Sequence, residues 1–309
     1  MGPAMTQSNN AANLSMFLMY QQRTLLAITM IKLLFILLSL GVAYSVIADE
    51  SALPVNVEFI GSWDAKSSAW MHEQVWAPGR IKVVNDPVFP KPVGLIEVHP
   101  GDDVGGWSGE RAEVSGMQDA QGKPLPVTAQ SGHEFYGIAV KLPRDWKAPA
   151  GTNPWGIFLQ LHGPDTYRAS PAIALNAEND FHISLCSGDL LEGGKRAKPK
   201  GVTSYKFSNG NLNLGHPVEF MLDVVWAADN TGSIIVYRRD EGQTQWDKVF
   251  EARNTPTLQY VAGEKIGVHY WKTGYYRNRG NDFTSKLWLS PAVRGLTFED
   301  VAKAAFGRP

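Results

Sequence analysis

Tyr270-Trp271-Lys272-Thr273-Gly274-Tyr275-Tyr276 is the stretch on which the reading of this chain turns. In a β-strand, successive side chains alternate between faces, and residues two apart share one. Lys272, Gly274 and Tyr276 then lie on one face of a sheet. His269, Trp271, Thr273 and Tyr275 point to the other, where packing between sheets is expected. Two short segments far away in the chain read the same way. Arg111-Ala112-Glu113 puts Arg111 and Glu113 on one face, and Gln160-Leu161-His162 does so for Gln160 and His162. One sheet surface can thus collect Arg, Lys, Gln, His and Tyr. That set suits removal of a proton from the carbon next to a carboxylate.

Short β-rich runs between turn signals recur through the rest of the chain. They include Val55–Ile60, Ile81–Val84, Val93–Val98, Phe135–Leu142, Trp155–Leu161, Pro171–Leu175 and Phe181–Cys186. Further along come Thr203–Phe207, Val218–Trp226, Ser233–Arg238, Trp246–Ala252, Lys265–Trp271 and Lys286–Leu289. Asp229-Asn230-Thr231-Gly232 reads as the bend of a hairpin. Only Thr297–Ala305 looks helical, with Thr297 as a cap and Glu299 and Asp300 in the first turn. Many strands without alternating helices predict an all-β fold: a two-sheet antiparallel β-sandwich of the concanavalin A-like jelly-roll kind. A curved sheet in such a sandwich offers a concave face to a long polymer.

Composition agrees. The 309 residues carry a formal net charge of -1, and 44% are hydrophobic, enough for a full core. Thirty Gly, 19 Pro, ten Trp and ten Tyr suit a turn-rich β protein with aromatic surfaces. The near-neutral balance argues against a nucleic-acid partner. The single cysteine, Cys186, cannot form an internal disulfide and is expected to be a small buried residue. No zinc-type ligand spacing is present, so no metal site is expected.

Residues 1–48 are expected to be an N-terminal extension and signal peptide, and residues 49–309 a single jelly-roll domain. Lys32 precedes an uncharged run from Leu33 to Ala48. That run is shorter than the roughly 20 residues of a spanning helix. Val46-Ile47-Ala48 reads as a cleavage site, with Met30 as a candidate start. The alternative is an uncleaved anchor beginning near Leu25. Either way the folded part faces outside the cytoplasm, and the cleaved form predicts a secreted or periplasmic, monomeric protein with no stable membrane span.

The chemistry can be set out for a uronic-acid chain on the concave face. Cleavage without water removes the proton at C5 and expels the oxygen at C4. A cation and an amide donor at the carboxylate stabilise the charge that develops. Arg111 offers a planar fork and Gln160 an amide. His162 and Tyr276 are suitable types for the base at C5 and the acid at the leaving oxygen. Lys272 can bind a carboxylate or act on Tyr276 through its charge. Gly274 would let the sugar approach the sheet. Arg277 and Arg279 are expected to bind neighbouring carboxylates. Trp107 and Trp155 are candidates for stacking on sugar rings. Lys195, Arg196, Lys198 and Lys200 read as a solvated basic loop, and His133, His182 and His216 as structural.

The ordered trio Arg111-Ala112-Glu113, Gln160-Leu161-His162 and Lys272-Thr273-Gly274-Tyr275-Tyr276 resembles the motif set of jelly-roll polysaccharide lyases. It is similar to alginate lyases of that fold, and closer to the heparin lyase I-like and glucuronan lyase group. Glu97-Val98-His99-Pro100-Gly101-Asp102, the strand from Tyr136 to Pro143, Asp223-Val224-Val225-Trp226 and Thr297-Phe298-Glu299-Asp300-Val301 fit the closer match. The resemblance runs from about Val55 to the end.

It implies an acidic polysaccharide substrate and β-elimination. Arg111, with Gln160 beside it, would neutralise the uronate carboxylate. His162 would be the base for one C5 epimer, Tyr276 the acid (and the base when both groups leave on one side), and Lys272 a ligand of the acidic sugar. Heparin lyase I-like enzymes carry a calcium site whose acidic ligands are not matched here, so no cofactor is expected. Two other readings stay open on the residues alone. One is a glycoside hydrolase on the same sandwich, although the run Glu-X-Asp-X-X-Glu is missing; the other is a carbohydrate-binding module without chemistry.

Overall fold

Two sheets carry nearly all the regular structure of this protein. The computed structural model describes residues 53–309 apart from 65, 107–108, 168 and 192–201. The segment expected to be a signal peptide, Trp107 and the residues from Lys195 to Lys200, expected to form a basic loop, therefore lie outside the described residues.

The first sheet has nine strands, with Asp247–Arg253, Ser233–Asp240, Pro217–Val225, His133–Lys141, Ser285–Leu289, Val93–Val98 and Ile81–Val84 in spatial order. Val57–Gly61 and Ala292–Gly295 pair off this path. The second has seven strands: Thr203–Lys206, Phe181–Leu185, Ile173–Ala177, Gly156–His162, Tyr270–Asn278, Gly109–Met117 and Trp70–Val75. Pairing within both is antiparallel. The sandwich expected from the alternating pattern is the one observed.

Alternation also explains the core. In His133–Lys141, Tyr136, Ile138 and Val140 enter the space between the sheets, where they join Leu159, Leu161, Trp271, Tyr275 and Phe220. Phe135 and Ala139 point to the opposite face and are buried too, because the helix Phe298–Phe306 lies over them with Val301, Ala302, Ala305 and Phe306. Thr297 caps that helix, its Oγ1 accepting from the Asp300 N–H, and Gly307 closes it in the left-handed region at φ 73. Asp229 accepts from the Thr231 N–H at the hairpin bend, as Asx chemistry predicts. The strand expected over Lys265–Trp271 instead begins at Tyr270, and Val261–Glu264 form a turn. Trp70–Val75 and Ala292–Gly295 are strands that the pattern did not single out, one because its outer positions are exposed, the other because it is four residues long.

Topology then brings the three motif segments together. Tyr270–Asn278 lies between Gly109–Met117 and Gly156–His162, pairing Tyr276 with Arg111, Lys272 with both Ser115 and Gln160, and Tyr270 with His162. The register against Gly156–His162 slips by one residue between Thr273 and Tyr276. Gly274 sits in this bulge with φ 144, and a Cβ there would come within 2.2 Å of the Ala112 carbonyl oxygen. The glycine is thus required by the approach of the neighbouring strand, which replaces the expectation that it makes room for a sugar.

Gly274→Ala is expected to destabilise the fold by about 3 kcal/mol, strain plus clash. Gly101→Ala, at φ 83 with open space around it, should cost only ~1 kcal/mol. Denaturant unfolding of both variants checks this, and equal losses would refute the role given to the bulge.

Candidate active site

One face of the seven-stranded sheet carries a groove of about 670 Å³. Arg111, Gln160, His162, Lys272 and Tyr276 all line it. Five side chains spread over 165 positions of sequence thus meet on one surface, as alternation on three adjacent strands requires.

Beneath the groove lies Glu113, 1% exposed. Lys272 Nζ stands 3.3 Å from its Oε2 and Arg111 Nη1 3.5 Å from the same oxygen. Gln160 Nε2 donates to the other oxygen, Oε1. A buried carboxylate is costly unless paired, and here two cations and an amide share it. The cluster of Arg111, Lys272 and Glu113 keeps one net positive charge at the floor. Arg111 Nη1 also reaches Gln74 Oε1 at 3.4 Å. Its Nε is buried without a hydrogen-bond partner among the described residues, an arrangement that leaves donor capacity in the cation. The guanidinium lies 3.7 Å over the Tyr276 ring, and Trp155 packs edge-on against that ring at 4.4 Å. Burial lowers the pKa of Lys272, while Glu113 opposes that shift.

His162 sits at the end of its strand. Its Nδ1 is 2.6 Å from the Gly163 carbonyl oxygen. A carbonyl only accepts, so Nδ1 carries the hydrogen and Nε2 of the neutral ring keeps its lone pair. Burial, then the Lys272 charge, lowers the His162 pKa, so the neutral form dominates near pH 7. Tyr270 stacks on the imidazole at 5.3 Å, and its hydroxyl donates to Asp165 Oδ1. Burial first, then Asp165, pushes the Tyr270 phenol up. Behind them His269 is sealed: Nε2 accepts from the Gln259 N–H and Nδ1 faces the Gly267 carbonyl, with burial lowering its pKa to about 4.

Two expected substrate ligands lie elsewhere. Arg277 follows Tyr276, so it points into the sandwich, where it is fully buried. Its Nε donates to Glu110 Oε2 at 3.0 Å, Nη1 to Ser285 Oγ and Nη2 to the Phe283 carbonyl. Strand alternation alone assigns it to the interior, and adjacency to Tyr276 was a misleading signal. Arg279 lies beyond the strand, paired with Asp103, and is not part of the groove lining.

Gln74, Asp165, Tyr270, Asn176, Glu178 and His182 line the groove without having been singled out as ligands. Tyr270 was recoverable, since it shares the parity of Lys272. The others come from loops or strands lacking a motif. His182, expected to be structural, does have partners, Asp180 at 3.2 Å and Glu178 at 3.9 Å. His133 and His216 pair with Asp223 and Glu241.

Among the described residues no group of three His, Cys, Asp or Glu side chains is placed to hold a metal ion. Asp102 and Glu110, near the Arg111 strand, are each engaged by an arginine, Arg80 and Arg277. These residues do not fit a calcium site, and no step is derived through one. No helix among them is long and apolar enough to cross a membrane.

Comparison with known proteins bears on the class of chemistry. No curated protein sequence matches this chain. Among solved structures, the endo-β-1,4-glucuronan lyase from the fungus Trichoderma reesei superposes with a TM-score of 0.56 at 17% identity, covering 75% of this chain and 93% of that one. An alginate lyase from Pseudomonas aeruginosa gives 0.44 at 14% identity, over 74% and 95% of the two chains. The catalytic domain of a glycoside hydrolase family 131 protein from Coprinopsis cinerea gives 0.46 at 9%, over 79% and 95%. At such identities the first likeness speaks for the fold, and the other two carry no argument. The polysaccharide lyase family model, however, matches residues 62–291, most of the sandwich and all three motif segments. On that match this chain belongs to the polysaccharide lyase family and is an enzyme of that class.

Proposed function

We propose that this lyase cleaves a uronic-acid polysaccharide by β-elimination, with His162 and Tyr276 moving the protons. The observation that carries the reading is the singly positive Arg111–Lys272–Glu113 floor beside a neutral histidine with an available lone pair. One net positive charge matches one uronate carboxylate. The hydrolase and binding-module readings give way to the family assignment.

The steps follow from the chemistry. The uronate carboxylate binds over Arg111 and Lys272, with Gln160 donating beside them. As the C5–H bond breaks, charge flows onto that carboxylate, where the fixed cations stabilise it without reorganising. Nε2 of His162 takes the proton. The C4–O bond then breaks, the electron pair forms the C4–C5 double bond, and Tyr276 delivers a proton to the departing oxygen. For the other C5 epimer, where proton and leaving group share a side, Tyr276 serves both roles. Trp155 and the stacked Arg111 fix the Tyr276 ring in place. Secretion or periplasmic export belongs to this proposal and rests on the segment from Met30 to Ala48. Glucuronan, alginate and heparin-like chains are the substrate candidates.

Incubation with each of these polymers should raise the ultraviolet absorbance of the conjugated unsaturated uronate on at least one. A new reducing end without that absorbance would remove β-elimination. Tyr276→Phe should lower kcat by about 10²–10⁴ and leave polymer binding within a few-fold, measured by turnover and calorimetry. Activity close to that of the native enzyme would exclude Tyr276 from proton transfer. The base must be neutral, so kcat/KM falls as pH drops through the His162 pKa. Because that pKa is lowered from 6.5, the acid limb on a substrate using this base should lie below pH 6.5, and a limb centred above 6.5 would point to another group.

A further inference from the structure

Beyond the catalytic cluster the groove continues across Gly156–His162, Ile173–Ala177, Phe181–Leu185 and Thr203–Lys206. One row of paired positions runs Tyr276, Ile157, Asn176, His182. The next runs Lys272, Gln160, Ala174, Ser184, Ser204. At ~4.8 Å between strands, these polar groups stand roughly 10–19 Å from the catalytic strand. A 1,4-linked pyranose is about as long as one strand spacing, so they lie two to four sugars along.

Among the described residues this half of the groove differs in charge. Arg111 and Lys272 are the cations among its described lining residues, and both lie at the catalytic end. Within this half Glu178 lines the wall beside Gly156, on the strand next to the catalytic one, its Oε1 accepting from the Gly156 N–H at 3.0 Å. His182 stands 3.9 Å from that oxygen and gives its Nδ1 side to Asp180. Asn176 is 2% exposed. Its Nδ2 donates to Ser184 Oγ at 2.9 Å and to the Ala174 carbonyl at 3.3 Å, which fixes the amide. Both hydrogen bonds run from Nδ2, and the side chain lines the groove. Ser184 Oγ in turn meets Ser204 Oγ at 3.1 Å. An amide held by its nitrogen end, continued by two hydroxyls along the groove, matches the donors and acceptors of sugar hydroxyls.

We infer that this half of the groove is a subsite for an uncharged, hydroxyl-bearing sugar face, bound by Asn176, Ser184 and Ser204, with Glu178 keeping carboxylates off the floor. The inference rests on the uronate reading and adds a pattern to the substrate. Two sources supply such a face. One is a neutral sugar alternating with the uronate; the other is a uronate turned over so that its carboxylate points to solvent.

The test uses the full enzyme on uronate oligosaccharides of increasing length, from polymers with continuous and with alternating carboxylates. Asn176→Ala should reduce the preference for long over short chains, as a ratio of kcat/KM, by about tenfold, the effect of one hydrogen bond. Ser204→Ala, at an exposed position that folding tolerates, should reduce it in the same direction. A loss equal at every length, or none in either variant, overturns the subsite. Glu178→Gln should raise the rate on continuous relative to alternating chains several-fold, and an unchanged ratio overturns the exclusion of carboxylates. Native preference for alternating chains identifies the neutral sugar as the source, and equal rates identify the turned-over uronate. If no chain yields unsaturated product, β-elimination fails, and calorimetric titration of the same oligosaccharides into the native enzyme and Asn176→Ala still decides the subsite.

Discussion

Glu113 holds two cations at the floor of the groove, and the active site is organised around that shared carboxylate. Arg111 and Lys272 come from adjacent antiparallel strands, and each is nearly buried. Without a counter-charge, burying both would cost more than the sheet could offset. With one carboxylate between them, the floor keeps a single positive charge and little freedom to relax. That rigidity is what makes it useful, because fixed charges stabilise a developing anion better than mobile ones. Gln160 completes the arrangement from the other flank and is itself oriented by Glu113.

The sandwich supplies this placement through features remote from the chemistry. Trp271 and Tyr275 drive the inner face of the central strand into the core, which forces Lys272 and Tyr276 outward. Register shifts on both flanks of Gly156–His162, one against the Gly274 bulge and one against Ile173–Ala177, let Ile157 and Gln160 both line the groove while Phe158 and Leu159 both enter the core. On the far sheet, the helix Phe298–Phe306 covers a second apolar face and allows its central strands to be hydrophobic on both sides.

Much of the site was legible because the period of a strand is two. Arg111, Gln160, His162, Lys272 and Tyr276 follow from parity once the segments are neighbours. The same rule, applied consistently, would have sent Arg277 inward. The hub role of Glu113, the tautomer of His162 and the far half of the groove were not legible. Each depends on which backbone or side chain stands across a sheet, and pairing order leaves no local mark in the chain.

Alternating hydrophobicity, turn chemistry and the helix cap by themselves determined an all-β sandwich with a capped C-terminal helix, since those signals act over a few residues. Three segments separated by up to 165 positions became neighbours only through sheet order. Their charges became a floor only through burial. Tertiary structure decided these matters because proximity and desolvation belong to the packed chain, not to any stretch of it.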